Sequence, residues 1–242
     1  FDQVSGELKQ GAILTCDRTY LIDELIFIPA GQILKIAPGT LSRGKKGGRP
    51  DEEVALIIER GAKLDANGTE FCPIVFTGDS DPMDGTYSLD NKCQWGGIII
   101  MGRALNNLLK INNSDTEFGD NGNSVAVQDG LGRFRSLQDI PTDGRYFFGA
   151  NLSAGETFNN SDNSGTLRYV SIRFSIAITP ISLELDALTL CSVGNGTTID
   201  HVEIVSPGND GIRFFGGNVN IKYISVLYGN DDMFDWTLGY QG

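Results

Sequence analysis

Residues Ile199-Asp200-His201-Val202-Glu203-Ile204 and Ile221-Lys222-Tyr223-Ile224-Ser225-Val226 superpose at a shift of 22 residues. The same shift pairs Asp210 with Asp232, Ile212 with Phe234 and Phe214 with Trp236. An earlier copy is Leu167-Arg168-Tyr169-Val170-Ser171-Ile172, followed by Asp186-Ala187-Leu188-Thr189-Leu190. Within each unit, Leu188 with Leu190, Ile212 with Phe214, and Phe234 with Trp236 show the alternation of a strand with one buried face. A unit this short, holding two strands and no helical period, has the size of one coil of a parallel β-solenoid. Leu167, Val170 and Ile172 and their equivalents are therefore expected to stack into one core, and Tyr169, His201 and Tyr223 into a second column.

The N-terminal part repeats more loosely. Ile26-Phe27-Ile28 followed by Leu34 and Ile36 matches Leu56-Ile57-Ile58 followed by Leu64 and Ala66, and the extra length is the basic, Gly-rich stretch 42–50. Further strands are expected at Ile74-Val75-Phe76 and from Trp95 to Ile100. From Arg103 to Ser164 the pattern dissolves into Asn, Asp, Gly and scattered aromatics, as in a long insertion. We read one domain over 1–242: N-terminal coils at 1–102, a loop-rich insertion at 103–164 and regular coils at 165–242. Asp outnumbers Glu by 21 to 10 and 17 Asn accompany it, which favours turns over helices.

Several segments together resemble a known family. They are Ile36-Ala37-Pro38-Gly39-Thr40, Ala55 to Lys63, Pro73-Ile74-Val75-Phe76-Thr77, Trp95 to Gly102, Asn163 to Arg173, and Gly196-Thr197-Thr198-Ile199-Asp200-His201-Val202. The family is the secreted right-handed parallel β-helix proteins of environmental bacteria, often surface lipoproteins or carriers of a C-terminal sorting signal. The resemblance implies an all-β, right-handed parallel β-helix with a long irregular insertion, and its members mostly lack an assigned activity. Proteins that look like this usually continue past Gly239-Tyr240-Gln241-Gly242 with more coils.

A net charge of -12 opposes nucleic acid and anionic membranes as partners. No apolar run approaches the roughly 18 residues that membrane insertion needs. The four cysteines, Cys16, Cys72, Cys93 and Cys191, fit an oxidising compartment, so an extracellular or cell-surface location is expected. A Cys72–Cys93 disulfide would close the acidic loop between them. With His201 as the one histidine, a multi-His metal centre is excluded. Sequons for N-glycosylation begin at Asn67, Asn112, Asn151, Asn159 and Asn195.

Two carboxylate groups are candidate calcium sites. Asp186, Asp210 and Asp232 align across the repeats and would stack about 4.8 Å apart, where they bind cations, cap turns or share protons. Asp79, Asp81 and Asp84 share one loop with Gly85, as calcium ligands or as a plain acidic surface. Tyr146-Phe147-Phe148, Phe118, Phe134 and Phe158 cover the solenoid side or form a glycan-stacking surface.

The function expected from this reading is a non-catalytic structural or adhesive module. Its partners are cell-surface glycan or further copies of itself, joined head to tail through Phe234, Trp236 and Tyr240. The alternative is a glycan-cleaving enzyme, with Asn209-Asp210-Gly211, Asn230-Asp231-Asp232, Arg213 and Lys222 supplying acid and base. No Gly-His-Gly accompanies them.

Overall fold

Short runs of β-branched and aliphatic residues, broken every few positions by Gly, Asp or Asn, form strands throughout the described residues, beside one short 3-10 helix at Leu152–Ala154. The computed structural model describes residues 2–4, 8, 11–46, 54–108, 116–117, 124–128, 130–134, 144–175 and 185–242. The first coils hold β1 (Asp2–Val4), β2 (Ile13–Leu14), β3 (Thr19–Ile22), β4 (Leu25–Ile28), β5 (Ile33–Ile36) and β6 (Leu41–Gly44). They continue with β7 (Ala55–Ile58), β8 (Lys63–Asn67), β9 (Ile74–Gly78) and β10 (Ile98–Met101). Next come β11 (Thr116–Glu117), β12 (Ser124–Gln128), β13 (Leu131–Phe134) and β14 (Phe147–Gly149). The last coils hold β15 (Gly165–Arg173), β16 (Leu188–Cys191), β17 (Thr198–Val205), β18 (Ile212–Phe215), β19 (Ile221–Leu227) and β20 (Phe234–Thr237).

All of these strands except β11 to β14 wind as a parallel β-helix with three faces. A six-stranded sheet runs β20-β18-β16-β10-β7-β4, and a ten-stranded sheet supplies the other two faces. That larger sheet is folded along its middle: Gly165–Arg168 of β15 pairs with β8, whereas Val170–Ile172 pairs with β9. The first face thus holds β2, β5, β8 and the leading halves of β15, β17 and β19. Their trailing halves join β1, β3, β6 and β9 in the second face, and the six-stranded sheet is the third.

Each unit therefore contributes three short strand segments rather than the two expected, because one continuous strand turns a corner. At the bend sit Tyr169, His201 and Tyr223, with φ of 47°, 52° and 54°. Non-glycine residues adopt this left-handed conformation at a cost. Here their rings stack in a column with centroids 4.4 and 4.5 Å apart, which offsets it.

Inside, the expected ladders form: Leu167, Ile199 and Ile221 align, as do Val170, Val202 and Ile224, and Ile172, Ile204 and Val226. The N-terminal match is equally direct, with Ile26 opposite Leu56 and Leu34 opposite Leu64. Each fully buried aliphatic in this core stabilises by about 1.5–3 kcal/mol.

Within 103–164, β11 to β14 form an antiparallel sheet. Its neighbourhood is pinned to the coils by Asn106, whose Nδ2 donates to Gly130 O at 3.1 Å and Ser192 Oγ at 3.0 Å. Arg60 adds a second tie, donating to Gly149 O at 3.0 Å and to Glu156 at 2.8 Å. Tyr146 and Phe148 bury against Phe27, Ile57, Ile99 and Met101, so these aromatics cover the outer side of the third face. Phe118, Asn112 and the side chain of Phe134 lie outside the described residues.

Candidate functional site

The covered third face carries a buried charge network. Register places Thr189, Arg213 and Asp235 in one outward-facing row on β16, β18 and β20. Arg213 is 4% exposed, and its Nη2 lies 2.5 Å from Asp210 Oδ2 while its Nε lies 2.9 Å from Asp235 Oδ2. Asp186, just before β16, stands 3.8 Å from the same guanidinium. Asn209 Nδ2 donates to Asp186 Oδ1 at 3.0 Å, and Thr189 Oγ1 donates to Asp186 Oδ2 at 3.3 Å.

Three carboxylates thus surround one buried guanidinium, and burial sets the titration of Asp186 and Asp210. Loss of solvation pushes the Asp186 carboxyl up to about 7 against the pull of Arg213, and Asp210 rises to about 6 for the same reason. A carboxyl that holds its proton more tightly when folded contributes stability at low pH and loses it as pH climbs through the folded value.

The opposite window belongs to exposed Asp17 and Asp84, held low by hydrogen bonds from Thr15 and Thr86, and to Glu156, held low by the Asn151 N–H. Their contribution disappears in acid. Unfolding free energies from urea denaturation are accordingly expected to peak near pH 5 and to fall between pH 5 and 8 by on the order of 1–3 kcal/mol. In Asp186→Asn that alkaline-side decline should flatten, and an unchanged slope would refute the assignment.

The repeat-aligned aspartates do not all converge. Asp210 groups instead with Asp231 and Asp232, whose carboxylate oxygens lie within 4.8 Å of one another, while Asp186 faces Asn209 and Thr189. Asp232 also donates its backbone N–H to Asp210 Oδ1 at 3.2 Å. The other acidic loop is spread out. Asp81 is buried and accepts from Thr77 Oγ1 at 2.7 Å and Met83 N at 2.8 Å, Asp84 accepts from Thr86, and Asp79 accepts from Ser80. Each carboxylate serves its own turn.

The Cys72–Cys93 bridge expected from spacing is not formed, and no disulfide is present. Cys72 precedes β9, whereas Gln94, next to Cys93, bonds Phe174 O beyond the other end of that strand. Five residues of β9 span about 16 Å, more than twice the reach of a disulfide.

Phe234 and Trp236 are 39% and 64% exposed on β20, the edge of the third face. Tyr240 is engaged within its own chain: it stacks on Phe214 at 4.3 Å and donates its hydroxyl to Val219 O at 2.6 Å. His201, between its two tyrosines, sits 2.8 Å from Asp200 Oδ1.

A groove that the repeat pattern did not reveal lies on the second face, where the loop after β9 folds back over the coils. It encloses about 300 Å³ between Met83, Tyr87 and Leu89 on one side and Arg173, Phe174 and Glu203 on the other. Asp79 N donates to Gly44 O at 2.9 Å at one end of the loop. At the other, Trp95 stacks on Phe76 at 6.0 Å and donates Nε1 to Arg173 O at 2.9 Å. Behind the lining residues Arg173 and Glu203, buried Ser171 Oγ donates to Glu203 Oε2 at 2.6 Å, and Arg173 donates to both, at 2.8 Å to Ser171 and 3.2 Å to Glu203. The volume is at the lower end of ligand sites, and the lining mixes apolar walls with few polar groups, as such sites do. The signal present in the sequence was the register of Ser171 with Glu203 and of Arg213 with Asp235, legible only once each coil is laid on the next.

Comparison with known proteins adds one finding. The curated proteins and the solved structures gave no match to this chain. The family described as the pectate-lyase-like β-helix domain matches residues 6–130 and 149–242, which is most of the chain. With its three-faced parallel coil and this match, the chain belongs to the pectate-lyase-like β-helix domain family.

Proposed function

We propose that this chain is a non-catalytic, extracellular structural and adhesive β-solenoid module that binds cell-surface glycan in the groove above Arg173 and Glu203. The observation that carries the reading is a separation of chemistry from access. The carboxylates that titrate near neutrality, Asp186 and Asp210, are each 1% exposed and face Arg213, whereas the open groove offers Arg173 and Glu203, held by Ser171 behind them. An arginine and a carboxylate already held in place match sugar hydroxyls and acidic sugar carboxylates, and Tyr87, Met83 and Leu89 supply apolar contact. Calcium belongs to the same proposal, held by Asp210, Asp231 and Asp232, as does head-to-tail association on the β20 edge at Phe234 and Trp236.

The rival reading, glycan cleavage, draws on the raised carboxyls beside Arg213, which have the titration of an acid and base pair. Titration calorimetry with homogalacturonan, alginate, chondroitin sulfate and xylan tests the binding site. Glu203→Gln and Arg173→Ala are expected to weaken a bound polymer by about tenfold or more, with Asp210→Asn leaving affinity unchanged. Affinity lost in Asp210→Asn and retained in both groove variants would overturn it.

A further inference from the structure

Cys16, Gly39 and Cys72 occupy one corner, between the first and second faces, in three successive coils. Their stacking is fixed by Ala37 N donating to Leu14 O at 2.9 Å and Gly39 N donating to Cys72 O at 3.0 Å. Gly39 has a φ of 78°, the left-handed region that favours glycine. A Cβ built there would lie 3.5 Å from Cys16 Cβ and 3.8 Å from Cys72 Cβ. The missing side chain therefore leaves a gap flanked from above and below by two thiols, and both cysteines are exposed.

Two geometric limits decide what can fill that gap. Cys16 and Cys72 are two coils apart, and at about 4.8 Å per coil their Cα atoms exceed the roughly 7 Å limit for direct disulfide formation. A bridging atom lifts the limit, because two metal–sulfur bonds of about 2.3 Å each extend the reach of both side chains. Thiolates favour soft cations, and an exposed pair with no histidine beside it suits low coordination numbers. We propose that Cys16 and Cys72 clasp one soft, thiophilic cation of the Cu(I) type over Gly39.

Binding needs no oxidant: each thiol releases its proton to solvent as its sulfur takes the metal. The corner is already rigid. Thr15 N donates to Tyr20 Oη at 2.8 Å below the gap, and Cys72 N donates to Thr69 Oγ1 at 3.1 Å above it.

Anaerobic titration of the reduced protein with Cu(I) held by bicinchoninate, read by native mass spectrometry, tests the site. The expected result is one Cu(I) per chain, with affinity falling roughly 100-fold in Cys16→Ser and equally in Cys72→Ser. Cys93→Ser should bind as the parent does, and circular dichroism of all three variants should match it. Retained affinity in either of the first two variants would overturn the proposal. So would a Cys16–Cys72 disulfide after treatment with oxidised glutathione, seen as the loss of two hydrogens, since the thiols would then meet without a metal.

Discussion

Replacing Arg213 with alanine is expected to destabilise the fold by about 3–5 kcal/mol at pH 7.5, the cost of leaving buried carboxylates without their counter-charge. Arg213 ties three successive coils, through Asp186, Asp210 and Asp235, and its side chain is 4% exposed, so water cannot take its place. The loss should shrink at pH 5, where Asp186 and Asp210, with folded values of about 7 and about 6, are protonated. A combined Asp186→Asn, Asp210→Asn, Asp235→Asn and Arg213→Met variant should recover much of the stability, because removing a buried charge set together costs less than removing one member. Urea denaturation at both pH values checks this. An Arg213→Ala penalty equal at pH 5 and 7.5 would mean the side chain acts through packing, for instance over Phe215 at 5.9 Å, rather than through charge.

The second large effect is expected at Trp95. Its side chain is 1% exposed, and it joins the core to the wall of the groove by stacking on Phe76 and donating to Arg173 O. Trp95→Ala should cost about 3–5 kcal/mol from the cavity, plus about 1 kcal/mol from the lost hydrogen bond. Because the loop from Asp79 to Gln94 is anchored there, hydrogen exchange in that loop should accelerate and groove ligands should dissociate. Trp95→Phe keeps the stacking and loses the donor, so it should retain most stability. A Trp95→Ala protein with unchanged exchange in the loop would show that the wall is held by Asp81 and its partners alone.

The coils were legible because stacking repeats the same environment at each turn. Ile199 above Ile221 and Asp210 above Asp232 are visible as a shift of 22 residues, and the fold keeps both pairings. The corner within β15, β17 and β19 was not legible. Left-handed positions announce themselves through Gly or Asn, whereas here they are Tyr169, His201 and Tyr223, tolerated because their rings stack. The acidic pattern left two readings open for a related reason: Asp79, Asp81 and Asp84 are close in sequence, and only the structure gives each carboxylate its own local hydrogen bond.

The groove was hidden because a loop without periodicity forms one wall of it. Arg213 opposite Asp235 was available at the same 22-residue shift, as opposite charges in neighbouring coils, and marks the network more sharply than the aspartate column alone.

Whether the scaffold holds glycan without cleaving it, as proposed, is decided by product analysis. The protein is incubated with each polysaccharide that binds, with calcium and with chelator, over pH 5 to 9. New reducing ends and unsaturated uronate absorbance are followed. No product above the heat-denatured control is expected in any condition. Product that forms with the parent protein and disappears in Asp210→Asn would contradict the proposal and assign the Arg213 network to catalysis.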